Sequence, residues 1–329
     1  MERIKINSIT IGEAKKHAVF VVKKELCCNV NKVQYLGGGS FGYIYKVDID
    51  RPPYTVVMKA CRCDNMCERE AFELNLLAKD SLIQIPKVYF TYLKDNIVSI
   101  DYICMEYVEG KDCFTDFSKL FLSKAKKRAF ADKITSAMYA WHSKTNDKFG
   151  LVQNANYDEW LDYYKPFAFD ILQKARNMVD RGELESYFLK VMELAWNNFD
   201  YIFSEKVEHA SLIHGDLNVM NILADDKLNP IAIIDPLESK WADREYDLFQ
   251  LKNLTGNAFG LYEMYKSKYP TSKNCDLKVA FYAMFHEIYC YIRSGRRTKI
   301  NHLRCLLNLK IELNNVCLLY TSDAADDKA

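Results

Sequence analysis

The sequence predicts an α+β chain folded as two lobes, a small antiparallel β-sheet with one helix followed by a larger, mainly helical part. Three observations carry this expectation. Up to about Met105, β-branched and aromatic residues dominate short segments separated by glycine, proline and Asx turns. Past Gly110, apolar residues recur at three and four spacing over long runs, near 119–143, 157–180, 183–204, 245–268 and 277–294. With 329 residues, 49% of them hydrophobic, each part can hold a core of its own. The expected division is 1–105 for the sheet lobe, 106–110 for a hinge and 111–316 for the helical lobe.

Taken in order, residues 33–36 lead into Gly37-Gly38-Gly39-Ser40-Phe41-Gly42, and residues 43–49 lead out, which reads as a hairpin with glycines at its tip. Arg51-Pro52-Pro53-Tyr54 breaks the pattern. Residues 55–60 then form a third strand that contains Lys59. Ala71, Phe72, Leu74, Leu77 and Ala78 mark one face of a helix over 68–79, and Pro86 closes that region. Two further strands are expected at 88–93 and 97–105, around Lys94-Asp95-Asn96.

Bulk properties exclude several functions. Lys+Arg 45 against Asp+Glu 44 leaves a net charge of +1, so no global field draws in nucleic acid or an anionic membrane. There is no run of apolar residues long enough to span a bilayer and no N-terminal apolar core of secretory length, so a cytoplasmic protein is expected. The eleven cysteines are odd in number and read as reduced thiols; Cys61-x-Cys63 with Cys67 lacks the fourth ligand of structural zinc. Residues 317–326 resemble the translation of a sequencing adapter, and 317–329 are set aside as a non-native tail.

The chemistry-bearing residues fall into three groups. Gly37-x-Gly39-x-x-Gly42 runs into the strand pattern Tyr43-Ile44-Tyr45-Lys46-Val47 and not into a helix, so it reads as a flap over phosphates and not as a dinucleotide fingerprint. No Walker-type Gly-Lys-Ser or Gly-Lys-Thr is present. Lys59 follows Gly42 by seventeen positions, and Glu70 on the next helix can orient its ammonium, with Glu73 as the competing partner. His214-Gly215-Asp216-Leu217-Asn218-Val219-Met220-Asn221 places a carboxylate and an amide five positions apart. Asp235 ends the apolar run 231–234, where a carboxylate can reach a divalent cation.

Together these motifs resemble the protein-kinase-like superfamily in its small-molecule branch, that of aminoglycoside phosphotransferases, fructosamine kinases and choline-kinase relatives, over residues 33–295. The resemblance implies ATP and Mg2+ as cofactors. It makes Asp216 the catalytic base, Asn221 and Asp235 the magnesium ligands, Lys59 the phosphate-binding lysine and Glu70 its ion-pair partner. Gly37, Gly39, Ser40 and Gly42 would cover the phosphates, and the backbone of Glu106 and Val108 would hold the adenine edge. Gly215 stands where protein kinases carry an arginine, and no Ala-Pro-Glu follows Asp235. Only twelve positions separate Asp235 from Asp247, which leaves little room for an activation segment, so the acceptor is expected to be a small molecule.

An amino sugar, ketosamine or amino alcohol fits that expectation, with no nucleic-acid or membrane partner. Residues 243–248, 261–270 and the expected helix over 280–292 are most similar to ketosamine kinases, whereas Asn218 and Met220 replace the tryptophan and glycine usual there and are closer to antibiotic kinases. An aminoglycoside kinase and a non-catalytic nucleotide-binding scaffold are the alternatives. Asp247 is expected to serve a helix N-terminus and His214 to brace its loop, while His142 and His286 read as packing residues. Trp160, Tyr163, Tyr164, Phe167 and Phe169 read as core, with sugar stacking as the alternative.

Overall fold

Side-chain alternation along strands organises the first lobe. The computed structural model describes residues 3–39, 41–113 and 115–326. In it α1 (Ile11–Leu26) precedes β1 (Val30–Gly38), β2 (Gly42–Ile49), β3 (Thr55–Cys61), α2 (Met66–Leu77), β4 (Val88–Tyr92) and β5 (Asp101–Glu106). The strands form one antiparallel sheet in the order β1-β2-β3-β5-β4. Val56, Met58 and Ala60 take one face of β3 and join Tyr45, Val47 and Tyr102 in a core closed by Ala14, Ala18, Val21 and Val22 of α1. The alternate residues Val57, Lys59 and Cys61 take the other face, where Cys61 packs into a second core with Leu74 and Leu77 of α2.

Two details differ from the sequence expectation. The lobe has a second helix, α1, opened by a capping box in which Thr10 and Glu13 satisfy each other's amides at 3.2 and 3.0 Å. Half of its buried stripe is alanine, set among Lys15, Lys16, Lys23 and Lys24, so its apolar periodicity is faint. The fifth strand starts at Asp101 and not at Ile97. Asp95 accepts from the Ile97 and Val98 amides, both at 2.8 Å, and commits those donors to a turn.

Residues 107–110 connect the lobes. Beyond them come β6 (Lys111–Asp112), α3 (Lys124–His142), β7 (Thr145–Asn146), β8 (Phe149–Leu151), β9 (Asn154–Tyr157), α4 (Trp160–Asp180), α5 (Ser186–Asn197) and α6 (Phe199–Ile202). They are followed by β10 (Ala210–Ile213), β11 (Ile222–Ala224), β12 (Pro230–Ile233), β13 (Lys240–Ala242), α7 (Leu248–Leu251), α8 (Leu254–Phe259), α9 (Leu261–Lys268), α10 (Cys275–Ser294) and α11 (Lys299–Asp326). The short strands form two sheets, β7-β10-β13-β8-β9 and β12-β11-β6. None of the described helices is long and apolar enough to cross a membrane.

The helix expected over 245–268 is broken into α7, α8 and α9. Asn253 caps α8 by accepting from the Gly256 amide at 2.8 Å, and Gly260, at φ 70, ends it. The run 183–204 likewise divides at Asn198 into α5 and α6. Trp160 and Tyr164 are core residues: both are buried, their rings stack at 5.3 Å, and Trp160 Nε1 donates to the Tyr282 hydroxyl at 2.8 Å. Phe169 is exposed and lies against Trp196.

α10 is pinned by a buried charge cluster. Lys278 Nζ lies 2.9 Å from Asp243 and 2.7 Å from Glu245, and all three side chains are buried. Tyr282 and Ser272 donate further hydrogen bonds to the two carboxylates, at 2.8 and 2.7 Å. Burial opposes the lysine charge, but Asp243 and Glu245 outweigh it and hold its pKa above the ordinary value. Lys278→Met would leave both carboxylates buried without their cation. We expect a loss of about 3–5 kcal/mol, read as a lower denaturation midpoint at unchanged slope.

Candidate active site

The loop after β10 is shaped by one buried carboxylate. The amides of His214 and Gly215 donate to Asp247 Oδ2 and Oδ1, each at 2.8 Å. Burial works against the charge of Asp247, but His142, 3.4 Å away, and the loop amides hold its carboxyl below the usual range. This corrects the expectation for Asp247: both oxygens serve the loop, and α7 receives no side-chain cap from it. Gly215 has φ 88, and a Cβ there would stand 2.1 Å from the Leu237 carbonyl oxygen, so only glycine fits. His214 is buried beside Trp141 and accepts from the Asp216 amide through Nδ1 at 3.3 Å. Its burial holds the imidazole pKa below the ordinary value, which suits an accepting ring nitrogen. As expected, it braces the loop.

Asp216 leaves this loop half-buried, with each oxygen engaged by amides. Oδ1 accepts from Gln250 Nε2 at 2.6 Å and Asn218 Nδ2 at 3.0 Å, and Oδ2 from Asn221 Nδ2 at 3.2 Å. Burial first, then the Asp235 charge, push its pKa up to about 7 against the pull of the Asn218 and Asn221 hydrogen bonds. The β11–β12 hairpin brings Asn221 and Asp235 together. Ile222 pairs with Ile233, and the Ile234 amide donates to the Asn221 carbonyl at 3.0 Å. Asp235 sits just beyond in the left-handed region, at φ 60, with its side chain 50% exposed.

Lys59 meets these groups from the sheet lobe. Its Nζ lies 2.7 Å from both oxygens of Glu70 and also pairs with Asp235 Oδ1. Burial disfavours the ammonium, yet Asp235 and Glu70 outweigh it and hold its pKa above the ordinary lysine value. Glu73, the competing candidate, points elsewhere: it accepts from the Ser239 amide at 3.2 Å and lies 3.8 Å from Arg69.

A cavity of about 240 Å³ is lined by Gly39, Phe41, Gly42, Ile44, Lys59, Met66, Asp216, Asp235 and Leu237. The glycine turn forms its roof, where the Gly39 amide donates to the Gly42 carbonyl at 3.1 Å. A Cβ on Gly42 would stand 2.8 Å from the Ala60 carbonyl, so the turn lies close over β3. Gly37 sits outside the cavity lining, at an irregularity in the β1–β2 register, and Ser40 lies outside the described residues. Glu106 ends β5, Val108 lies in the connection between lobes, and neither lines this cavity; the Glu106 amide donates to the Lys87 carbonyl at 2.8 Å. A larger cavity of about 460 Å³, bordered by Ser143, Glu208, Arg244 and Ser272, contains none of the expected site residues. One ammonium facing two carboxylates can bind a polyanion, accept a proton and offer hard oxygen to a divalent cation.

The chain is similar to known proteins along most of its length. A profile described as fructosamine kinase matches residues 15–302. The chain belongs to the fructosamine kinase family. It is a small-molecule phosphotransferase acting on a hydroxyl. It is similar to ketosamine-3-kinase of Mus musculus, 24% identical over 311 residues that cover 88% of this chain and 98% of that protein. YcbJ of Escherichia coli K12 is 20% identical over 251 residues, 76% of this chain and 82% of its own. A protein described as a fructosamine-3-kinase from Haemophilus somnus 129PT superposes with TM-score 0.62 at 19% identity, covering 92% of this chain and 97% of its own. An ADP-bound aminoglycoside phosphotransferase superposes with TM-score 0.61 at 17% identity, covering 91% and 97%. The family match begins inside α1, ahead of the span read from motifs.

The structure of this fructosamine kinase family member adds site residues that the sequence did not reveal. Gln250 lies 34 positions from Asp216, with no motif to mark it, and only the fold of α7 brings them together. Phe41, Ile44, Met66 and Leu237 line the cavity as apolar residues indistinguishable in sequence from core. Gly215→Ala would force a methyl group into the Leu237 carbonyl at a positive φ. We expect a cost above about 2 kcal/mol and loss of turnover, measured by thermal unfolding and phosphotransfer assay.

Proposed function

We propose that this fructosamine kinase family member transfers the γ-phosphoryl group of ATP, with Mg2+, to a hydroxyl of a ketosamine. One observation carries the reading: Gly39, Gly42 and Lys59 face Asp216 and Asp235 across a single cavity. Asp216 acts as the base and takes the acceptor hydroxyl proton. The acceptor oxygen bonds to the γ-phosphorus as the bond to the β–γ bridging oxygen breaks, and ADP departs with that electron pair. Lys59, kept charged between Glu70 and Asp235, neutralises phosphate oxygens.

The donor set suits magnesium. Asp235 offers an exposed carboxylate and Asn221 an amide beside it, both hard ligands, and the bound ion would offset charge on the β- and γ-phosphates. Gly39 and Gly42 would cover the phosphates, and the backbone at Glu106 and Val108 would hold the adenine edge. Complexes of ADP and GDP with aminoglycoside phosphotransferases of the same fold support nucleotide use. The family and the mouse ketosamine-3-kinase support a ketosamine acceptor. A cytoplasmic location agrees with the free cysteines among the described residues.

Phosphorus NMR of products formed from ATP, Mg2+ and a panel of ketosamines, aminoglycosides and amino alcohols tests the acceptor. A phosphorylated ketosamine supports the proposal, and a product from aminoglycosides alone replaces it. Asp216→Asn should lower kcat by roughly 10² to 10⁴ with ATP affinity little changed, because it removes the proton acceptor and no phosphate contact. Asp235→Ala should weaken magnesium-nucleotide binding as well as rate, seen as a higher Mg2+ requirement. An unaltered Mg2+ dependence would remove Asp235 from the metal site.

A further inference from the structure

We infer that Gln250 is a positioning residue for the phosphotransfer base, an inference that rests on the reading of Asp216 given above. Gln250 Nε2 lies 2.6 Å from Asp216 Oδ1, the shortest of the three amide contacts to that carboxylate. Asn218 donates to the same oxygen at 3.0 Å, so Oδ1 has two donors and little remaining capacity. Among the described residues Oδ2 receives only Asn221, at a longer 3.2 Å. The outcome is an asymmetric carboxylate. Oδ1 is fixed by the protein, and Oδ2 keeps a lone pair for the acceptor hydroxyl.

Gln250 is itself held in place. Asn253 Nδ2 lies 3.4 Å from Gln250 Oε1, and Asn253 is anchored as the cap of α8, accepting from the Gly256 amide at 2.8 Å and the Thr255 hydroxyl at 2.7 Å. A line of side-chain amides thus runs from the start of α8 to the base. Three residues before Gln250, Asp247 grips the His214 and Gly215 amides. One turn of chain therefore sets both the backbone of the catalytic loop and the orientation of its carboxylate. Aiming a base matters because a displacement near 1 Å can cost about 10²-fold in rate.

The test is Gln250→Met, which keeps the length and removes the donor. We expect kcat to fall about 10- to 100-fold with ATP affinity and unfolding midpoint unchanged. Combined with Asp216→Asn, the same change should slow turnover no further, since there is no longer a base to aim. A second readout needs no turnover. The side-chain amide resonance of Gln250, identified by its loss in Gln250→Met, should shift in Asp216→Ala. Full kcat in Gln250→Met, multiplicative losses in the double variant, or an unmoved amide resonance would each overturn the inference. If the unaltered protein phosphorylates no member of the acceptor panel, the proposed function fails, while the amide resonance still decides whether Gln250 holds Asp216.

Discussion

A buried ammonium joins the two halves of this molecule. Lys59 comes from the central part of the sheet lobe, Glu70 from the helix behind it, and Asp235 from the turn after β12 in the helical lobe. A lysine 7% exposed is tolerable only with carboxylates around it, because an isolated charge in that position would be strongly disfavoured. The pairing thus requires the lobes to meet at this point. The cavity between the glycine turn and the loop after β10 is a consequence of where that charge had to be satisfied.

A second buried charge acts differently. Asp247 spends its oxygens on two backbone amides and stays ionised, whereas Asp216, two residues from His214, is desolvated with a pKa raised to about 7. Two carboxylates in one loop environment are thereby driven apart, one toward a fixed structural anion and one toward a group able to take a proton near neutrality. Gly215 makes this possible. With no Cβ it lets the loop turn against the Leu237 carbonyl while both amides point at Asp247.

Membership of the fructosamine kinase family agrees with motifs that were legible without coordinates. The glycine turn, Lys59, the stretch from His214 to Asn221 and Asp235 are local patterns whose spacing reflects a strand, a turn and a strand, and such elements are short-range. Glu70 and Glu73, three positions apart on one helix face and both buried, are separated only by their contacts, Glu70 meeting Lys59 and Glu73 the Ser239 amide. Less was visible where local turn and capping bonds overrode the periodicity or where it was faint. Asp95 took donors from the expected fifth strand, Asn253 and Gly260 cut one long amphipathic run into α7, α8 and α9, and the alanines of α1 gave too little apolar signal to mark a helix.

By itself the sequence determined a two-lobed α+β architecture and the identities of the charged groups in the cleft, since both follow from periodicity and short motifs that depend on near neighbours. Only the tertiary structure decided that Asp247 grips the loop after β10, that Gln250 reaches Asp216, and which apolar side chains line the cavity. Those contacts join residues more than thirty positions apart. Their formation depends on how α7 packs against the β10 loop ahead of the break at Asn253, so the distances between these groups exist only once the cores have closed.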